Sequence, residues 1–148
     1  MTRLRHFFLL LLVPSALAAC GGGGTGPEDN AGDGNGNTRT IKSDPSYAAD
    51  IQEIFNRRGC SDGLCHGSSQ QEGLDLRASS SYGSLVNIIA TQSTAARVIP
   101  GNAQASYLVV KLEGRQTFGE RMPKGGAALD NIDLTNIKNW INQGAKNN

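Results

Sequence analysis

The sequence predicts an all-α protein, with one small domain of about four helices and long loops after a glycine-rich tether. Four segments carry apolar residues at helical spacing, and no fixed-period repeat or convincing hairpin signal accompanies them. Roughly 100 residues remain after the N-terminal segments, which is enough for one domain. Because only 5% of the residues are aromatic, the side chains alone predict a thin core for that length.

The first 19 residues predict a lipoprotein signal peptide. Arg3 and Arg5 precede an apolar stretch over residues 7–13 that is too short to span a bilayer as a stable helix. Residues 17–20, Leu-Ala-Ala-Cys, resemble the lipobox of bacterial lipoproteins. This resemblance implies cleavage before Cys20 and lipidation of its sulfur, whereas an ordinary secretory peptide is the alternative.

Removal of residues 1–19 simplifies the inventory of reactive side chains. Cys20 becomes the lipidated N-terminus, and the remaining cysteines are Cys60 and Cys65. His66 becomes the single histidine and Met122 the single methionine. The 14 basic residues become 12 against 13 acidic ones, a net charge of −1. Since no basic patch stands out, we expect no nucleic-acid partner.

Residues 20–44 are predicted to form the lipidated N-terminus and a flexible linker, because they are rich in Gly, Asn and Asp. Such a segment has almost no apolar side chains, so burial cannot offset the entropy of ordering it. The folded domain is therefore predicted over residues 45–148, tethered close to a membrane.

The first two predicted helices lie before and after the cysteine pair. The first covers residues 45–58, with Asp44 as N-cap, Pro45 at the first helical position and Gly59 as the stop. The second covers about residues 80–90, although its β-branched residues leave a strand possible. The apolar stripes of these two segments are Tyr47, Ile51, Ile54 and Phe55, then Tyr82, Leu85, Val86 and Ile89.

The last two predicted helices lie on either side of a glycine-rich loop, residues 118–126, that contains Met122. The third covers about residues 103–112, after a turn ending in the cap residue Asn102. The fourth covers about residues 132–143, with Asp130 as N-cap and Gly144 as the stop. Their stripes are Tyr107, Leu108, Lys111 and Leu112, then Leu134, Ile137, Trp140 and Ile141.

Residues 60–66 carry the motif Cys-x4-Cys-His directly after the first helix. The motif resembles the Cys-x-x-Cys-His sequence that attaches c-type haem covalently, with four residues between the cysteines in place of two. In the haem motif both thiols bond to the porphyrin and the adjacent histidine binds the iron. The alternative is a disulfide between Cys60 and Cys65, which the compartment outside the cytoplasm would preserve.

The order of elements also resembles the class I cytochrome c fold, with an N-terminal helix before the motif and a methionine loop before the last helix. Further fragments resemble bacterial planctomycete-type cytochrome c domains, and the similarity covers about residues 51–145. These fragments are Gly73-Leu74-Asp75-Leu76, Val98-Ile99-Pro100-Gly101-Asn102 with Ser106-Tyr107-Leu108 and Lys111-Leu112, Arg121-Met122-Pro123 with Gly125-Gly126, and residues 137–145.

The resemblance implies haem c bound covalently through Cys60 and Cys65. His66 would be the proximal iron ligand and Met122 the distal one, because the mature chain has no other histidine or methionine. An iron with both axial positions filled favours outer-sphere electron transfer over catalysis. We therefore expect a non-enzymatic, membrane-anchored monohaem cytochrome that exchanges single electrons with redox partner proteins.

Two functions stay open at this point. The first is the electron-transfer lipoprotein, placed outside the cytoplasm on the periplasmic face of a membrane. Gly21 after the lipidated cysteine favours the outer membrane, since it is not the aspartate associated with inner-membrane retention. The second is a binding or structural module that has a cytochrome-like fold but no haem. In this alternative a Cys60–Cys65 disulfide cross-links the module.

Overall fold

The computed structural model describes residues 38–148, so the predicted signal peptide, Cys20 and most of the tether lie outside the described residues. Within this part the chain is helical, with isolated bridges and no strand, and the all-α prediction is confirmed. The α-helices of residues 38–148 are α1 (Gln52–Arg57), α2 (Ser81–Leu85), α3 (Tyr107–Glu113) and α4 (Asn131–Asn142).

A π-helical turn over Tyr47–Ile51 leads directly into α1. Its N-cap is Ser46, whose hydroxyl accepts a hydrogen bond from the amide of Ala49 at 3.4 Å. The predicted cap at Asp44 was therefore wrong by two residues, because Pro45 is buried ahead of the helix and does not open it.

The second predicted helix is shorter than the periodicity indicated. It ends at Leu85, and Val86 is already extended and pairs with Val98 in an isolated bridge. Ile89 pairs with Ala96 and is 60% exposed, so its predicted place on a buried helical stripe was wrong. The β-branched run at this point prefers extended backbone, which explains the early end.

The third helix starts four residues later than predicted, because Asn102 caps a separate turn. The Asn102 side chain accepts a hydrogen bond from the amide of Ala105 at 3.0 Å, and the helix begins after Ser106. Gly114, with φ of 73°, ends it. Lys111 lies on its buried stripe with only 9% of its surface exposed.

The fourth helix follows its capping signals closely. The Asp130 carboxylate accepts a hydrogen bond from the amide of Asp133 at 2.9 Å, as an N-cap does. The helix then continues to Asn142, and Gly144 with φ of 97° follows it. Both predicted ends are confirmed to within one residue.

The core lies where α4 packs against the first helical segment and α3. Tyr47 is at its centre, with its ring 5.0 Å from Trp140 and 5.1 Å from Tyr82 between centroids. The fully buried apolar residues around it include Ile51, Leu85, Val98, Val109, Ile137 and Ile141.

The segment before the first helix packs along α4. The Asn136 side chain accepts from the amide of Lys42 at 2.8 Å and donates to the carbonyl of Thr40 at 2.9 Å. Arg39 reaches the carboxylates of Asp130 and Asp133. The packed part of the chain therefore includes residues 39–42, which the sequence had assigned to the linker.

Candidate functional site

The cysteine motif starts where α1 ends. Gly59 takes φ of 68°, a left-handed conformation that glycine adopts at little cost, and turns the chain out of the helix. The amide of Cys60 donates to the carbonyl of Phe55 at 2.8 Å. The first cysteine is thereby fixed to the end of a helix whose other face lies in the core.

The four-residue spacer folds into a tight loop. The amides of Cys65 and Gly67 both donate to the carbonyl of Asp62, at 2.9 and 3.0 Å. The amide of His66 donates to the carbonyl of Cys60 at 3.1 Å. The additional residues are therefore accommodated within the turn, and the first cysteine and the histidine have adjacent backbones.

The two cysteines have different surroundings. Cys60 is a free thiol, and burial raises its pKa to about 11. Cys65 is 5% exposed and disulfide-bonded, whereas Cys60 is not part of that bond. The Cys60–Cys65 disulfide required by the haem-free hypothesis is therefore not present in the structure.

His66 presents a neutral imidazole with a defined tautomer. Its Nδ1 lies 2.9 Å from the carbonyl oxygen of Gln71. Since a carbonyl can only accept, this contact places the ring proton on Nδ1 and leaves a lone pair on Nε2. Nε2 is then the nitrogen that can bind a metal ion.

The environment of His66 favours its neutral form. Burial is the largest cause lowering the pKa of the imidazole, and the positive charges of Arg97 and Lys111 lower it further. The hydrogen bond to Gln71 opposes this shift without reversing it. The result is a half-buried imidazole whose pKa is lowered from its usual value.

Two further loops meet the histidine loop. The hydroxyl of Thr91 donates to the Glu72 carboxylate at 2.8 Å, which joins the segment after His66 to residues 87–98. A Cβ placed on Gly119 would lie 3.0 Å from Oε1 of Gln92 and 3.2 Å from Nζ of Lys111. Residues 115–126 therefore complete a cluster of three loops around the Lys111 ammonium group.

Met122 belongs to the third loop. Its amide donates to the carbonyl of Lys111 at 2.9 Å, its side chain packs against the core, and a cis peptide joins it to Pro123. The structure thus places the backbone of Met122 next to that of Lys111.

Each of the three loops exposes a large apolar side chain. Leu64 is 70% exposed in the first loop, Ile89 60% in the second and Phe118 64% in the third. Each of the three loops therefore carries one large apolar side chain that the described part of the chain does not bury.

Sequence reasoning missed four residues that shape this region. Gln71 and Gly67 belong to no recognisable sequence motif. Their roles depend on backbone contacts that can be seen only in the folded structure. Arg97 lies outside the predicted helices. Lys111 carried a signal, because a lysine on an apolar helical stripe predicts a buried charge.

Comparison with known proteins yields no similarity: no family model, curated protein or solved structure matches the chain. Among residues 38–148, no helix is long and apolar enough to cross a membrane.

Proposed function

We propose that this chain is a lipid-anchored, monohaem c-type cytochrome that transfers single electrons, built on a cytochrome c-like domain. In this proposal Cys60 and Cys65 hold haem c covalently, His66 is the proximal ligand and Met122 the distal ligand. The observation that carries the proposal is the His66 imidazole, which follows Cys65 directly and has its Nε2 lone pair fixed by the Gln71 carbonyl.

The donor set fits the iron of a haem. Metal-binding histidines commonly donate their second ring nitrogen to a carbonyl, which orients the ring and increases its basicity. The contact between Nδ1 of His66 and Gln71 has this form. In the haem-bound protein the sulfur of Cys65 would carry a thioether in place of its disulfide.

The apolar side chains fit the face and edge of a porphyrin. Leu64, Ile89 and Phe118 are exposed on three neighbouring loops, and a flat apolar group bound between these loops would cover them. Each fully buried side chain of this size gains about 1.5 to 3 kcal/mol relative to exposure. A rigid cofactor would also supplement a core with few aromatic residues.

Haem supplies one-electron redox chemistry, and the protein sets its potential and access. A thioether from Met122 favours the reduced iron and raises the potential relative to a second histidine. Because His66 and Met122 would both hold the iron, no ligand position would remain for a substrate. The proposed activity is therefore outer-sphere electron transfer, without enzymatic catalysis.

The proposed setting follows from the N-terminal segments, which lie outside the described residues. Lipidation of Cys20 would anchor the domain to the periplasmic face of a membrane, with the outer membrane favoured. Its partners would be redox proteins, with no role for nucleic acid.

The test is maturation of the full chain in a bacterial host that attaches haem c. We expect a red protein whose Soret band survives acid–acetone extraction and whose mass increases by one haem. The double variant Cys60→Ala/Cys65→Ala is the control and should lose its colour on extraction. A colourless wild-type protein, with or without a disulfide between Cys60 and Cys65, would overturn the proposal.

A further inference from the structure

Arg97 is a buried cation held only by neutral groups. It is 8% exposed, and its guanidinium donates to the carbonyls of Ser84 at 2.8 Å and Glu72 at 2.9 Å. Within residues 38–148 no carboxylate approaches it to the 4.0 Å of an ion pair. Arg97 therefore retains N–H donors and a full charge that its carbonyl contacts do not neutralise.

Lys111 is a second buried cation of the same kind. It is 9% exposed, and its ammonium nitrogen lies beside the backbone of Gly119. Glu72 and Glu120 influence it electrostatically, but neither comes within ion-pair distance. Burial lowers the pKa of both Lys111 and Arg97, as expected for cations without a close counter-charge.

Elsewhere in the domain, buried charge is compensated. Asp133, which is 1% exposed, accepts hydrogen bonds from Arg39, Arg57 and Arg58. Burial of a charge without such pairing costs free energy, so proteins rarely retain it without a use. Two uncompensated cations in one region predict an anionic ligand with two negative groups.

The position of that ligand follows from His66. Thr91 donates to the Glu72 carboxylate at 2.8 Å, and the neighbouring Gln92 side chain lies with the Lys111 ammonium group beside Gly119. The carbonyl of Glu72, which Arg97 binds, is one residue beyond the carbonyl of Gln71 that holds the ring. The anionic groups would therefore lie next to the group that His66 binds.

We propose that Arg97 and Lys111 bind the two propionate carboxylates of the haem held by His66. This inference rests on the proposed function, because it specifies how the same cofactor is oriented. Haem has two carboxylates on one edge of an otherwise apolar ring. The two cations match that edge, and the exposed apolar residues of the three loops match the rest of the ring.

The experiment compares Arg97→Gln and Lys111→Gln with Arg77→Gln in the full-length, haem-loaded protein. Arg77 is a matched control because it pairs with Asp75 and its side chain is 50% exposed. Resonance Raman spectra report the propionate bending bands, whose frequency falls when hydrogen bonds to the carboxylates are lost. Redox titration reports the reduction potential of the same samples.

We expect each of the Arg97→Gln and Lys111→Gln variants to lower a propionate band and the reduction potential, because a positive charge is removed beside the carboxylates. Arg77→Gln should leave both unchanged. Replacement of Arg97 can impair folding, because its guanidinium also donates to two backbone carbonyls. Lys111→Gln therefore tests the proposal even if Arg97→Gln does not fold.

The outcomes separate this inference from the proposed function. A red wild-type protein whose propionate bands are unaffected by Lys111→Gln, and by Arg97→Gln where that variant folds, overturns the propionate assignment alone. A colourless wild-type protein overturns both. Recovery of the propionate band in Arg97→Lys, which restores the charge, would support direct binding.

Discussion

At the scale of single residues, the loop that joins the cysteines depends on Gly67. A Cβ at this position would lie 2.3 Å from the carbonyl oxygen of Ser61 and 2.7 Å from that of Asp62. Both are backbone atoms within the same turn, so neither can move away like the end of a flexible side chain. The close approach, not an unusual φ, requires glycine here.

We predict that Gly67→Ala destabilises the fold by roughly 1 to 3 kcal/mol, the usual cost of inserting a methyl group where there is no space. Gly83→Ala is the matched control. Gly83 lies inside α2 with nothing within 4 Å of the added methyl, so alanine should stabilise by roughly 0.5 to 1 kcal/mol. Urea unfolding measures both, and equal effects would contradict the assigned contacts.

Met122→Ala tests the distal ligand. In the proposed haem protein, the haem should remain attached through Cys60, Cys65 and His66, but the oxidised protein should lose the weak red absorption band of a methionine–iron bond. The reduction potential should fall, since the thioether favours reduced iron. An unchanged band would exclude Met122 as a ligand.

At the scale of secondary-structure elements, ion pairs connect the C-terminal end of α1 to the N-terminal end of α4. Arg57 and Arg58 donate to the carboxylate of Asp133 at 2.8 and 2.6 Å, and Arg58 also reaches Asp130. Two acidic residues in the first turn of α4 also complement its helix dipole. Because Cys60 follows α1 directly, this junction also fixes the start of the motif.

We predict that Asp133→Asn lowers the free energy of unfolding by roughly 3 kcal/mol, because three arginines lose a buried counter-charge. Asp44→Asn is the control, since the Asp44–Lys146 pair is exposed and pairs of this kind contribute about 0 to 1 kcal/mol. Chemical denaturation should separate the two variants clearly. Similar losses in both would show that burial of Asp133 does not matter.

Asp130 gives the junction a pH dependence. Burial raises its pKa, but the hydrogen bond from the Asp133 amide and the charges of Arg58 and Arg39 together hold it below the ordinary value of 3.8. A carboxyl with a depressed folded-state pKa stabilises the fold above the unfolded pKa, and this stability is lost as pH falls through the folded pKa.

Asp130→Asn keeps a good N-cap but removes the titrating group. We therefore expect the variant to lose less stability than the wild type on acidification from about pH 5 to below 3.8. Thermal unfolding at a series of pH values measures the difference. Parallel curves for the two proteins would contradict a stabilising role of the Asp130 charge.

Elements with strong local signals could be predicted from the sequence, and those governed by packing could not. Both ends of α4 follow from Asp130 and Gly144, which act through their own backbone and immediate neighbours. The early end of α2 depends on the pairing of Val86 with Val98, a contact between distant segments. Local periodicity carries no information about such pairing.

The same division holds for the candidate site. The motif and Met122 are recognisable because their residue types are rare in the mature chain. Arg97 could not be predicted, because its role depends on carbonyls 13 and 25 residues earlier in the chain. Gln71 contributes only a backbone carbonyl, which any residue type could supply.

At the scale of the whole molecule, one aromatic cluster joins the first and last helical segments. Trp140 is 1% exposed, packs against Tyr47 and donates through its indole N–H to the carbonyl of Lys146 at 2.8 Å. It is the single tryptophan of the chain. Its fluorescence therefore reports on the core without interference from other positions.

We predict that Trp140 emission is strongly quenched in the haem-loaded protein and rises on unfolding. A folded domain of about 110 residues has a radius of gyration of about 13 Å, so any bound haem lies within range of energy transfer from the core. Fluorescence of the Cys60→Ala/Cys65→Ala variant, freed of any haem, is the control and should be bright when folded. Equal emission from folded and unfolded red protein would contradict a haem inside this domain.

The closed loop around Cys65 has a consequence for the order of events during biogenesis. Its sulfur belongs to a residue that is 5% exposed, in a turn fixed by hydrogen bonds from Cys65, His66 and Gly67. A protein can reach this sulfur only when the turn is open and the side chain is exposed. In the proposed haem protein, covalent modification at Cys65 would therefore come before the domain closes, and a chain that folds first would remain unmodified.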